Sequence, residues 1–223
     1  MKYVFLRYGK ILFLFLAITD LLFIAFQKDF LRLFTKPLLM LVLAVYVMYL
    51  PAAKNKNTWL IISGLLFVSL GDTLLMFENS NANMFIFGLA SFLITHLLYI
   101  LYFIKIPQVK PTLLKQSPII GLLLLAYIIN FIFCLYPHLG PLKVPVIIYT
   151  FVIGSMFLFS IHAYNSLDKK IGLRFVLGAL LFVLSDSLLA YSKFMTTFPL
   201  HGLAIMATYC IAQYLIAEAM EYS

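Results

Sequence analysis

Charge is scarce in this sequence. Asp, Glu, Lys and Arg make up 11% of its 223 residues, where ordinary soluble domains carry about 25%. The chain cannot clothe a water-facing surface, which excludes a soluble globular domain. Acid is scarcer than base, with eight Asp and Glu against 16 Lys and Arg. Cysteine is nearly absent: Cys134 and Cys210 both fall inside apolar runs, so they read as small core residues and imply no disulfide framework. Also missing is any polar segment long enough to fold as a separate catalytic or nucleic-acid-binding domain. Function therefore has to sit among apolar helices.

Apolar residues are what the chain has, at 64% of the total. Runs near the ~20 residues that cross a bilayer as a helix fall at about 9–27, 31–50, 59–77, 84–104, 117–136, 144–164, 172–191 and 198–218. These predict an all-α, polytopic membrane protein of eight transmembrane helices forming a single transmembrane domain over 1–223. The first run imitates a signal peptide. No small-x-small cleavage site follows it, however, and apolar character resumes past Asp20, so it is read as a retained helix. Thr35-Lys36-Pro37 is expected to open the second helix, since proline is tolerated in a first helical turn, and Trp59 to anchor the third at the interface.

The net charge of +8 reads as topology and not as affinity for nucleic acid. Eleven Lys and Arg fall on the side of the N-terminus and five on the other, a bias that places both termini in the cytoplasm.

The segment Gly64 to Phe77, apolar but for a few small polar groups and Asp72, recurs as Gly178 to Tyr191 around Asp186, at an offset of 114 residues. The same offset carries the first four spans onto the last four and Phe87-Gly88-Leu89-Ala90 onto His201-Gly202-Leu203-Ala204. The chain thus reads as two parallel four-helix repeats, about 9–104 and 123–218. Parallel repeats are related by an axis along the membrane normal, which would give Asp72 and Asp186 the same depth. A charge in hydrocarbon costs at least about 3 kcal/mol and marks a functional site by default; the alternative is an inherited structural contact satisfied by Ser, Thr or Lys. Asp20 is a third such carboxylate, with Cys134 at the equivalent position. On the fourth span, Gly88, Ser91, Thr95, Tyr99 and Tyr102 lie on one stripe, the small and polar kind of face that membrane helices turn to partners, with His96 beside it.

Several short strings, in order along six of the eight spans, resemble the YhhN-like lysoplasmalogenases, integral membrane hydrolases of lysoplasmalogens. They are Thr35-Lys36-Pro37, Gly71-Asp72 with Leu75-Met76, Phe87-Gly88-Leu89 followed by His96 and Tyr99, Tyr149 with Met156, Ser185-Asp186-Ser187 within Phe182 to Leu189, and Tyr209 with Gln213.

The resemblance implies hydrolysis of a vinyl ether, with a lysophospholipid substrate drawn from membrane lipid and no obligate protein partner. That chemistry starts with protonation of a vinyl carbon and passes through an oxocarbenium-like species, so it needs an acid, a base and a charge stabiliser. Asp72 and Asp186 suit the pair of roles that two carboxylates fill in glycosidases, with His96 to orient water or relay a proton. Lys36 is the candidate for the substrate phosphate, and Tyr149, Tyr209, Gln213, Tyr99 and Asp20 are further candidates for contact with substrate. No motif of the H-E-x-x-H kind occurs, so neither metal nor other cofactor is expected. Parallel repeats with midplane carboxylates also describe a small proton-coupled transporter, and the sequence leaves that alternative open.

Overall fold

A computed structural model of the chain describes residues 2–81 and 83–221, with the backbone alone for residues 2–7 and 54. The side chains of Lys2, Arg7 and Lys54, which enter the charge bias, thus lie outside the described residues. The helices are α1 (Lys2–Ala25), α2 (Asp29–Tyr49), α3 (Thr58–Met76), α4 (Asn83–Ile104), the single turn α5 (Leu113–Gln116), α6 (Ile119–Leu135), α7 (Lys143–Tyr164), α8 (Lys169–Phe194) and α9 (His201–Ala219). No strand occurs among the described residues. All but α5 are long and apolar enough to cross a membrane. Their outward faces are as apolar as the core: Phe15 is 65% exposed and Phe133 78%, a pattern that water would not tolerate and lipid requires.

Two boundaries differ from expectation for physical reasons. Helix α2 begins at Asp29, so Pro37 lies in its interior instead of its first turn. Proline there removes the N–H that would bond the Leu33 carbonyl, a loss that membrane helices accommodate when neighbouring helices supply polar side chains. Helix α8 runs further than its apolar stretch at both ends: at the first, Asp168 caps it by accepting from Lys170 N at 2.9 Å, and at the last, Met195 N closes on Tyr191 O. The turn from α1 to α2 is closed by Gln27 in the left-handed region (φ 55°) with a 2.8 Å bond from Lys28 N to Phe23 O, the six-residue closure common at helix C-termini.

The chain divides into two compact units, Met1–Tyr102 with Ile216–Ser223, and Phe103–Leu215. In the first unit α1 packs on α2 and α2 on α3. Glycines let α3 and α4 approach closely: a Cβ at Gly71 would sit 3.2 Å from Gly88 O, and one at Gly64 only 2.4 Å from Tyr99 Cε1. Thr95 Oγ1 reaches Gly64 O at 3.1 Å. The stripe expected on α4 is buried throughout, from Gly88 to Tyr102. Lys10 of α1 binds Glu218 at 3.3 Å and also Glu221, which ties the last turn of α9 into this unit.

In the second unit α6 packs on α7 and α7 on α8, and Ser185 of α8 donates to Ile205 O of α9 at 3.0 Å. Leu135, Leu139 and Val146 form an apolar cap at the turn from α6 to α7. Helix α6 buries little beyond Leu124, Ile128 and Leu135. This corrects the reading of Cys134 as a core residue: Cys134 is exposed and Cys210 buried, both as free thiols. A thiol is apolar enough for an outward position in lipid.

Because the Tyr99 ring is fully buried, it has no room to yield to a methyl at position 64. Gly64→Ala should therefore lower the melting temperature in detergent, at a cost of about 1–3 kcal/mol typical of overpacking. Gly121→Ala, where a Cβ meets nothing within 4 Å, should leave the melt unchanged or raise it, since alanine is the better helix former.

Candidate functional site: partnered carboxylates in apolar helices

In the first unit the centre is built on the run Thr35-Lys36-Pro37 of α2. Lys36 Nζ lies 3.2 Å from Asp72 Oδ1 of α3, with the carboxylate side chain 2% exposed and that of Lys36 17%. The lysine stem crosses apolar surface and delivers its ammonium to the buried acid. An ion pair so placed depends on both partners, because removing one leaves a buried charge without its counter-ion. Ser69, one turn before Asp72, donates to Pro37 O at 3.0 Å. Thr35 Oγ1 donates to Asp20 Oδ1 at 2.6 Å, and Arg32 Nε lies 3.5 Å from Asp20 Oδ2. Arg32 also faces Asp29 at 3.6 Å. His96 and Tyr99 of α4 are both fully buried.

In the second unit the centre is built on Ser185-Asp186-Ser187 of α8. The Tyr149 hydroxyl of α7 donates to Asp186 Oδ2. Tyr127 of α6 donates to Ser187 Oγ at 2.7 Å, while Ser185 reaches α9 as described. Tyr209 sets its ring edge-to-face against Phe182, with centroids 6.0 Å apart, and Gln213 is buried one turn further along α9. Asp186 is less enclosed than Asp72, being of intermediate exposure.

The structure thus brings Lys36 to Asp72 and Tyr149 to Asp186. Asp20 is engaged by Thr35 and Arg32. Of the groups that complete these centres, Ser69, Arg32, Tyr127 and the Thr35 hydroxyl were not singled out for any role in the sequence. The one available signal was spacing, since Ser69 and Asp72 share a face of α3 at i, i+3. The two centres are not copies in chemistry. At the 114-residue offset Lys36 corresponds to Thr150, whose hydroxyl turns back to Val146 O at 2.8 Å, and Tyr149 corresponds to Thr35. Among the described residues no group of three or more His, Cys, Asp or Glu is placed to hold a metal ion.

Eight membrane-length helices that bury partnered carboxylates define a class, the multi-pass membrane protein with a polar interior. The chain belongs to the YhhN family, whose model matches residues 31–220, and the resemblance read from its short motifs is borne out. It is similar to lysoplasmalogenase TMEM86B of Rattus norvegicus, 29% identical over 182 residues that cover 81% of this chain and 68% of that protein. It is also similar to lysoplasmalogenase TMEM86A of Bos taurus, 32% identical over 158 residues that cover 69% of this chain and 62% of that protein. Lysoplasmalogenase TMEM86A of Homo sapiens is 31% identical over 158 residues, with the same coverage. No solved structure matches the chain.

Loss of one member of the Lys36–Asp72 pair leaves the other buried, at a typical cost of about 3–5 kcal/mol. Lys36→Met should therefore lower the melting temperature in detergent, and adding Asp72→Asn to it should restore part of the loss. A double variant that melts below Lys36→Met would show that the pair is not what balances Asp72.

Proposed function

We propose that the chain is a lysoplasmalogenase, hydrolysing the vinyl ether bond of a lysoplasmalogen to a fatty aldehyde and a glycerophospho-headgroup, with Asp72 and Asp186 as its acid–base carboxylates. The observation that carries this reading is that each aspartate meets a different proton-bearing partner, an ammonium for Asp72 and a phenol for Asp186. Family membership and similarity to proteins named lysoplasmalogenase support the reaction class.

In this mechanism the Tyr149–Asp186 couple delivers a proton to the vinyl carbon, and the π electrons form the new C–H bond. The ether oxygen lone pair then stabilises the adjacent cation as an oxocarbenium, with carboxylate charge nearby to offset it. Water adds to the cationic carbon beside the ether oxygen and yields a proton to Asp72. The resulting hemiacetal gives up its hydroxyl proton to the Tyr149–Asp186 couple as the carbon–oxygen bond to glycerol breaks, and the departing oxygen takes the proton held by Asp72, so that both carboxylates return to their starting states. The balance is one water consumed, one aldehyde and one glycerol hydroxyl formed. Lys36 balances the charge of Asp72 through this cycle; His96 orients the water, while Tyr99, Tyr209 and Gln213 hold the glycerol oxygens.

The reading carries a topology with it. The charge bias places both termini in the cytoplasm, and the chain is two four-helix repeats. The duplication is supported within each unit: α1–α2 and α2–α3 packing in the first answers to α6–α7 and α7–α8 packing in the second. Gly71, close to Gly88 of α4, corresponds in number to Ser185, which binds α9.

The test is release of fatty aldehyde from a lysoplasmalogen by the purified protein in detergent; a carrier would release none. Asn keeps the shape of Asp but neither donates nor accepts a proton as an acid or base, so Asp72→Asn and Asp186→Asn should fold and lose activity by roughly 10²- to 10⁴-fold. Groups that act as a unit lose activity non-additively, so the double variant should be little worse than either single one. Asp20→Asn should cost less, since an amide oxygen still accepts from Thr35. Single variants that retain more than about a tenth of wild-type turnover, against the 10²-fold or larger loss expected of an acid–base group, would make these aspartates structural.

A further inference from the structure

The family match begins at residue 31, after α1, yet α1 supplies a fully buried carboxylate, Asp20. What that carboxylate does is visible in its partners. Three consecutive residues of α2 each meet a different group. Thr35 meets Asp20 of α1 at 2.6 Å, Lys36 meets Asp72 of α3 at 3.2 Å, and the Pro37 carbonyl meets Ser69 of α3 at 3.0 Å. At the site of these bonds the α2 backbone lacks a rung, because Pro37 stands in the helix interior and the bond it cannot make would have closed the turn holding Thr35 and Lys36. A lysine on a loosened turn, with a long flexible stem, is drawn towards the interface. Here its turn is fixed on one side by a short, charge-assisted bond and on the other by a serine hydroxyl.

We infer that Asp20, acting through Thr35, and Ser69, acting through the Pro37 carbonyl, are positioning residues that hold Lys36 against Asp72, so that α1 is a working part of the site and not an appended span. This rests on the reading of Asp72 as a reacting carboxylate. Neither Asp20 nor Ser69 touches substrate in this scheme. Arg32, 3.5 Å from Asp20, supplies the charge balance that lets a carboxylate serve in the clamp, where a neutral acceptor would bind Thr35 more weakly.

Thr35→Val keeps the shape and removes the hydroxyl. It should lower kcat for aldehyde release by up to about 100-fold, the order reached when a reacting group is displaced by about 1 Å, with KM unchanged. Thr35→Ser should restore turnover. In a Lys36→Gln background Thr35→Val should cause no further loss, because two changes acting through one group are not additive. An equal loss in both backgrounds, or none in either, would overturn the inference.

A second readout needs no activity. Lys36 in the wild-type protein should resist a water-soluble amine-acylating reagent in detergent, with labelling located by peptide mass spectrometry, and Thr35→Val and Ser69→Ala should each speed labelling at Lys36 while leaving Lys143 labelled as before. Unchanged labelling of Lys36 in both variants would sink the positioning role. Ser69→Ala stands in should Thr35→Val not fold. A wild-type protein that releases no aldehyde but shows faster Lys36 labelling in the variants would remove the proposed reaction and leave the clamp.

Discussion

A carboxylate inside hydrocarbon must find a partner, and the rest of this structure follows from how that requirement is met. Asp20 is held by Thr35 and Arg32, Asp72 by Lys36, and Asp186 by Tyr149. The described partners of the first two come from α2 and that of the third from α7, the helices that correspond at the 114-residue offset. The second helix of each set is therefore the donor helix, and the flanking helices bring the acids to it. This explains why α2 tolerates an interior proline. Its neighbours on both sides already reach across to it with polar groups, so the broken rung sits among side-chain bonds from α1 and α3.

Lipid offers apolar side chains no reason to leave it, so helices in a membrane associate by close packing and by polar contacts. The interface of α3 and α4 combines both means. Gly64 and Gly71 let the helices approach until the Tyr99 ring and the Gly88 backbone fill the space, and the Thr95 hydroxyl adds a bond to the Gly64 carbonyl. The close fit has a consequence for chemistry. Asp72 and the glycine before it share one turn of α3, so the precision with which α4 seats against Gly71 also sets the surroundings of the carboxylate. His96 lies on that same helix, one residue from Thr95.

The eight spans were legible because bilayer thickness sets helix length and because hydropathy is a local property. Their ends were less so. Hydropathy reports the hydrocarbon core, whereas α8 continues past it to Phe194 and starts at a cap, Asp168, that belongs to the interface. The orientation of Cys134 was illegible because an apolar span gives no sign of which face meets protein, and α6 turns most of its surface outward. The aspartates could be named from sequence, since a lone acid in an apolar run is conspicuous. Their partners could not. Lys36 read as a group for the substrate phosphate, and its four-carbon stem reaches Asp72; whether a lysine near a helix end snorkels outward or folds inward is decided by tertiary placement of an acid 36 residues away.

The two centres share a plan and differ in content, and the difference bears on how each carboxylate handles a proton. Ser185-Asp186-Ser187 reaches out from α8 to α9, α7 and α6 in turn, much as Thr35-Lys36-Pro37 reaches from α2 to α1 and α3. Two identical carboxylates in identical surroundings would handle protons alike, and a reaction that needs one group to give a proton while another takes one gains little from such a pair. Changing the partner breaks that equivalence without moving the acid. A lysine beside Asp72 brings a full positive charge, and a tyrosine beside Asp186 brings a neutral hydroxyl. The register of the change is itself informative, since Lys36 corresponds to Thr150 while the residue that meets Asp186 is Tyr149, one position earlier. One residue turns a helix by about 100°, so the donor on α7 approaches its acid from a different angle than the donor on α2. At the 114-residue offset the acid keeps its position, and the difference between the two centres lies on the helix opposite it.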